Sequence, residues 1–195
     1  YHCSYCPFSK HSMSERELEK DRMQWFSFVE SVQKKAKTMH IGALMVVPYG
    51  EAMIHSWYWQ GLAYLSAQIE LEAVGIQTNL SFSVSDFLYC FENAGGVLAK
   101  LRLWATFHPE MTSVSEFAAK CKILAKKGIS ICAGSVGVPE NLNLLQTLKQ
   151  ELHSSNENGQ DIYLWVNKMD GLRRSYTQKE CMDFLEIDPY FQREL

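Results

Sequence analysis

Short apolar runs recur along this chain, and a helical pattern follows each of them. The runs are 41–47, 75–80, 101–107, 129–134 and 162–167, each bounded by glycine, proline or polar residues. Their starts fall about 26–35 residues apart, the spacing of successive strand–helix–strand units. Ile41 to Val47 is continuously apolar, as befits a strand covered on both faces, and Pro48 ends it. Leu101 to Phe107 instead alternates. Right-handed crossovers between such units make every strand parallel.

Helix signals fill the gaps. Ser14 with Glu17 forms a capping box that opens a helix of about 22 residues. Leu18, Trp25, Phe26, Val29 and Val32 fall at helical spacing, and Lys34, Lys35 and Lys37 gather late, where they complement the helix dipole. Ser56 caps a second helix, expected to run to about Glu72 and to be closed by Gly75. Ser83 with Asp86 starts a shorter one, stopped by Gly95 and Gly96. Ser113 with Glu116 opens a helix ending at Gly128, Pro139 and Glu140 precede another beginning near Asn141, and Thr177 with Glu180 caps the last. No linker of low complexity divides the chain, so the expectation is a single domain over 1–195. It is of the α/β class, either a six-stranded partial barrel or a doubly wound sheet. Eight strands do not fit. The first stretch and its long helix resemble the end of a sixth unit whose strand lies upstream of Tyr1.

The formal net charge of −3 carries no nucleic-acid footprint. No apolar run approaches the roughly 18 residues of a membrane helix, and no signal peptide is visible. Of six cysteines, Cys90, Cys121, Cys132 and Cys181 sit singly inside apolar segments, where a thiol behaves as a small hydrophobe. That usage points to the cytoplasm.

Cys3 and Cys6 are different. Their spacing brings two thiolates into one small volume, which suits a metal or a disulfide and by itself does not choose. Zinc, with His2 or His11 completing the site, is one reading. A thioredoxin-like oxidoreductase is another, although that fold is shorter and mixes antiparallel strands. In a parallel α/β architecture, ligands meet the loops at the carboxyl ends of the strands. Here those loops carry Gly50 and Glu51, Thr78 and Asn79, Thr106 and His108, Ser135, Val136 and Glu140, and Asn167. Each has a plain structural alternative. Thr78 or Asn79 can simply begin a turn, Glu140 can be helix-start charge, and His108 can be a satisfied surface histidine.

Taken with these loops, Cys3-Ser4-Tyr5-Cys6 resembles the last four positions of the Cys-x-x-x-Cys-x-aromatic-Cys signature of the radical SAM superfamily. The first cysteine of that signature falls two positions before Tyr1. Tyr49-Gly50-Glu51 is similar to the family's Gly-Gly-Glu turn after the second strand, with Tyr49 in place of the first glycine and Ala52 where proline is common. The glycine-rich stretch from Gly134 to Glu140 resembles its fifth-strand motif.

The resemblance implies a partial (βα)6 TIM-type barrel truncated at its N-terminus and ending short at Leu195. It implies a [4Fe–4S] cluster held by Cys3, Cys6 and the upstream cysteine, with S-adenosylmethionine on the open iron. Reductive cleavage then yields a 5′-deoxyadenosyl radical that abstracts hydrogen from a substrate, a small molecule or a peptide, in an oxidoreductase or maturase-like role. Glu51 and the Gly50 backbone would receive the methionine ammonium, and Tyr5 would pack beside the cluster or adenine. Thr78, Thr106 and Ser135 are expected around ribose or carboxylate, Val136 and the backbone near Asn167 around adenine, and Asn79 among the cofactor-binding residues. An electron donor such as a flavodoxin or ferredoxin is the implied partner, and neither a membrane nor a nucleic acid is. Two other readings stand beside this one. A divalent-metal barrel enzyme would use Glu51, His108 and Glu140. An interaction protein, with or without zinc at the cysteines, would present Trp57, Tyr58 and Trp59 to a partner.

Overall fold

A computed structural model describes residues 12–153 and 161–195. Its strands are β1 (Ala43–Val46), β2 (Ala73–Thr78), β3 (Leu101–Thr106), β4 (Ser130–Val136) and β5 (Leu164–Asn167). Its α-helices are α1 (Glu15–Lys35), α2 (Ser56–Ser66), α3 (Val84–Asn93), α4 (Val114–Lys126), α5 (Leu142–His153) and α6 (Gln178–Ile187). The five strands form one parallel sheet in the order β1-β2-β3-β4-β5. The expected α/β class and all five strands are therefore present, and the strand order lacks the reversal that marks a doubly wound sheet. The sheet is open rather than closed into a barrel. Among the described residues no helix is long and apolar enough to cross a membrane.

The helix starts follow from their caps. Ser14 Oγ accepts from Glu17 N–H at 3.4 Å while Glu17 Oε2 accepts from Ser14 N–H at 2.8 Å, the reciprocal pair expected of a capping box. Thr177 and Glu180 repeat the arrangement at α6. α1 buries Trp25, Val29 and Val32, a stripe at helical spacing.

One boundary differs from the sequence expectation. α2 ends at Ser66 rather than near Glu72, and β2 already begins at Ala73. Ser66 Oγ turns back to Ala63 O at 2.8 Å and also accepts from Val97 N–H at 2.9 Å, closing the helix. Six residues on, Glu72 N–H donates to Gly42 O at 2.7 Å and is part of the ladder. Gly75, expected to stop the helix, lies inside β2. Its register partner is Met45, and a Cβ there would meet Met45 Sδ at 2.6 Å. Cross-strand crowding selects this glycine, not a turn.

The chain divides into two compact units, residues 1–103 with 127–130 and residues 104–126 with 131–195. In the first, α1 lies on α2 through Trp25, whose indole N–H donates to Trp57 O at 3.0 Å. That ring lies so close to Gly61 that a Cβ would sit 2.2 Å from Nε1. The Trp57, Tyr58 and Trp59 group belongs largely to this packing rather than to a partner surface. Tyr58 and Trp59 are buried, Trp57 is half-buried, and Trp59 N–H donates to Met53 O at 2.8 Å. Tyr58 O–H and Trp57 N–H both donate to Asp21, at 3.1 and 3.4 Å. Met45 and Val47 are 45% and 66% exposed.

In the second unit, Phe107 packs on Phe117, and Phe184 on Phe191. Asp188 is buried there with both carboxylate oxygens engaged. It accepts from Val166 N–H at 2.8 Å, from Tyr190 N–H at 2.9 Å and from the Tyr163 hydroxyl.

Candidate functional site

The first unit carries a polar knot at the carboxyl ends of β1 and β2. Gly50 adopts φ +92°, a left-handed conformation, and open space surrounds the position a Cβ would take. The turn it makes delivers Glu51 to the start of a 3-10 turn, Ala52–Ile54. Glu51 Oε1 accepts from Met53 N–H at 3.0 Å and from Thr78 Oγ1 at 2.9 Å, and Oε2 accepts from Asn79 N–H. Thr78 Oγ1 in turn accepts from Leu80 N–H at 3.1 Å, which holds Leu80 at φ +56°. Asn79 Oδ1 accepts from Ser81 N–H at 2.9 Å. Three expected site residues, Glu51, Thr78 and Asn79, are thus joined directly.

Electrostatically this carboxylate is unusual. Burial pushes its pKa up, and the hydrogen bonds from Asn79, Thr78 and Met53 only partly oppose that. Among the described residues no lysine, arginine or histidine forms an ion pair with it.

The second unit places its expected residues on opposite faces of the strands. Ser135 is buried and its hydroxyl donates to Phe107 O at 3.1 Å, so it braces β3 against β4 and is not offered to ribose or carboxylate. Thr106 points the other way, and its Oγ1 is sealed from solvent with no hydrogen-bond partner. Val136 and Asn167 are register partners at the strand ends. Burial holds His108 below the usual imidazole pKa, which favours its neutral form. Glu140 lies in the 3-10 turn Pro139–Asn141. Among the described residues no group of three or more His, Cys, Asp or Glu side chains is arranged to hold a metal ion. Of the residues expected for a divalent-metal enzyme, Glu51 belongs to the first unit and His108 and Glu140 to the second.

Cys3, Cys6, Tyr5, His2 and His11 lie outside the described residues. Sequence reasoning missed Tyr176. Its hydroxyl donates to Gly137 O at 2.7 Å and accepts from Met169 N–H at 2.8 Å, tying the loop after β5 to the loop after β4. A lone aromatic in a polar loop was the available signal. Trp104 and Trp165, the ring pair on the strands, were also passed over.

Comparison with family models, with curated proteins and with solved structures finds no match to this chain.

Proposed function

We propose that this chain is the core of a radical SAM enzyme, a partial (βα)6 TIM-type barrel that binds S-adenosylmethionine at the loop after β1. The observation that carries the reading is the buried carboxylate of Glu51, which forms no ion pair with a lysine, arginine or histidine among the described residues. A desolvated carboxylate without a cation is costly, and an incoming ammonium relieves that cost. The residues present fit such a group. A carboxylate has about four acceptor positions, of which protein donors fill three, so one remains for an ammonium N–H. Beside it, Gly50 exposes its backbone to close approach. The consecutive strand order further supports a barrel-type arrangement over a doubly wound one.

In this reading Thr78 and Asn79 hold the Glu51 carboxylate in place, and Gly50 shapes the turn that admits the ligand. Cys3 and Cys6 would supply thiolates to the [4Fe–4S] cluster. When bound and reduced, that cluster supplies the electron that cleaves the sulfonium C–S bond. A flavodoxin or ferredoxin is the proposed donor. The proposed compartment is the cytoplasm, in keeping with Cys90, Cys121, Cys132 and Cys181 standing outside any disulfide.

The test uses protein expressed from the complete gene and reconstituted without oxygen. It should bind about four irons per chain and form 5′-deoxyadenosine on reduction. Cys3→Ala and Cys6→Ala should each abolish both. Glu51→Gln should weaken S-adenosylmethionine binding and leave the cluster absorbance intact. Stoichiometric zinc with no iron and no 5′-deoxyadenosine overturns the reading.

A further inference from the structure

In a parallel ladder each bonded residue donates to one residue of the facing strand and accepts from the residue two positions further on. Between β4 and β5 of the second unit the pattern begins at the amino end, where Ala133 N–H donates to Tyr163 O at 2.8 Å. It continues past the carboxyl ends, where Gly137 N–H donates to Asn167 O at 2.7 Å. The next rung would run from Met169 N–H to Gly137 O. A side chain takes its place. Met169 N–H donates to the Tyr176 hydroxyl at 2.8 Å, and that hydroxyl donates to Gly137 O at 2.7 Å. Two hydrogen bonds stand where one direct bond of about 2.9 Å would draw the strands together. The ends of β4 and β5 are thus spaced by one inserted hydroxyl.

This hydroxyl is itself fixed. The Tyr176 ring meets Phe184 and Phe191 edge-on, with centroids 5.7 and 5.6 Å away and planes at 87° and 88°. Both phenylalanines are fully buried. The next residue, Thr177, is the cap of α6, and Arg174 holds the same loop to Glu180 with two bonds, at 2.8 and 2.6 Å. Burial raises the pKa of Tyr176, so the hydroxyl keeps the proton it donates to Gly137 O. Strand alternation sends Val136 and its register partner Asn167 away from the buried side chains of Ser135 and Val166, onto the open face. There Val136 is half-buried and Asn167 exposed, immediately beside the spaced rung.

We infer that Tyr176 is a positioning residue for the adenine of S-adenosylmethionine. Its hydroxyl, standing in for a ladder bond, holds the ends of β4 and β5 at the spacing that lets Val136 and the backbone near Asn167 frame the base. Tyr176 approaches from the helix side of the sheet, so it acts through Gly137 and Met169 and does not touch the ligand. Without the hydroxyl, Met169 N–H closes directly on Gly137 O and the frame narrows. This inference rests on the radical SAM reading and adds to it a residue that no motif of that resemblance contains.

The experiment measures 5′-deoxyadenosine formation by the protein expressed from the complete gene, reconstituted without oxygen and reduced. Tyr176→Phe keeps the ring on Phe184 and Phe191 and removes only the hydroxyl. KM for S-adenosylmethionine should rise about 5-fold, the worth of one neutral hydrogen bond, with kcat and iron content unchanged. Methionine alone, which has no base, should perturb the electron paramagnetic resonance of the reduced cluster at the same concentration in both proteins. A second variant carries 3,5-difluorotyrosine at position 176, which keeps the shape and the hydroxyl but ionises more readily than tyrosine. Its KM should rise with pH while that of the parent stays level, because a phenolate no longer donates to Gly137 O. An active parent with an unchanged KM in Tyr176→Phe overturns the inference and leaves the radical SAM reading standing. So does a loss of kcat and iron at constant KM, or an equal weakening of methionine, since either marks a role in folding alone. A parent that binds no iron and forms no 5′-deoxyadenosine overturns both.

Discussion

Replacing Glu51 by alanine removes a single acceptor group from three donors at once. Met53 N–H, Thr78 Oγ1 and Asn79 N–H each lose their partner. Hydrogen bonds to a charged group are worth about 1.5–3 kcal/mol each, which gives a gross loss of about 4.5–9 kcal/mol. Two effects reduce it. The carboxylate is held above its ordinary pKa by burial, so part of its solvation cost is recovered when it leaves. Water also enters beside Gly50, where the surroundings are open, and satisfies part of what remains. A net destabilisation of about 3 kcal/mol follows. With a urea slope of about 2 kcal/mol per molar, the unfolding midpoint should fall by about 1.5 M. Glu51→Gln retains one acceptor oxygen but turns an NH2 toward Asn79 or toward Met53 and Thr78, and should lose roughly half as much. Urea titrations of the three proteins, followed by far-ultraviolet circular dichroism, measure this directly. A midpoint for Glu51→Ala within about 0.3 M of the parent would refute the claim that this carboxylate clamps the two strand ends.

The same group gives a pH signature. Its folded pKa lies above the ordinary carboxylate value, so its contribution is greatest below that ordinary value and declines as pH rises through the folded pKa. The stability difference between parent and Glu51→Gln should therefore shrink from pH 4 toward pH 7, and a difference that grows would contradict the assignment. Glu180 behaves oppositely. Arg174 pairs with it and lowers its pKa to about 2, so that contribution is present above the unfolded pKa and should be lost on acidification toward pH 2. Arg174→Ala should shrink that acid limb, leaving the part that the Thr177 hydrogen bonds maintain. Gly61→Ala ordinarily favours a helix by up to about 1 kcal/mol, yet here it should destabilise, by about 1–3 kcal/mol net, because its methyl meets the Trp25 ring. Differential scanning calorimetry of that variant decides the sign. Asp188→Ala should cost about 3–5 kcal/mol by stripping an acceptor from Val166, Tyr190 and Tyr163, with loss of a cooperative transition as the measurable extreme.

What the sequence revealed follows the range of the interactions involved. Caps act within four residues, so Ser14, Ser83 and Thr177 were readable as helix starts. Gly75 was misread because its reason lies on another strand, in the Met45 side chain. Ser135 and Thr106 were both expected at a ligand, and the alternation of a strand separates them, one onto Phe107 O and the other onto the open face. Which residue falls on which side depends on register to the single residue, and an apolar run does not specify it. Glu51 was recognised by its place after a strand. Its bonds to Thr78 and Asn79 depend on how two loops meet, and no local pattern announces that.

β1 ends the strand order, and its apolar side chains at Met45 and Val47 stand well exposed. The strand and the residues just after it carry no lysine, no glutamate and no bulge up to Pro48. Lysines, prolines and irregularities are the usual means of discouraging strand-to-strand recruitment, and here only the terminal proline serves. Among the described residues this border is therefore an adhesive one. The protein's behaviour in the test tube should depend on how concentrated it is, with dilute samples unfolding reversibly and concentrated ones passing into oligomers that scatter light.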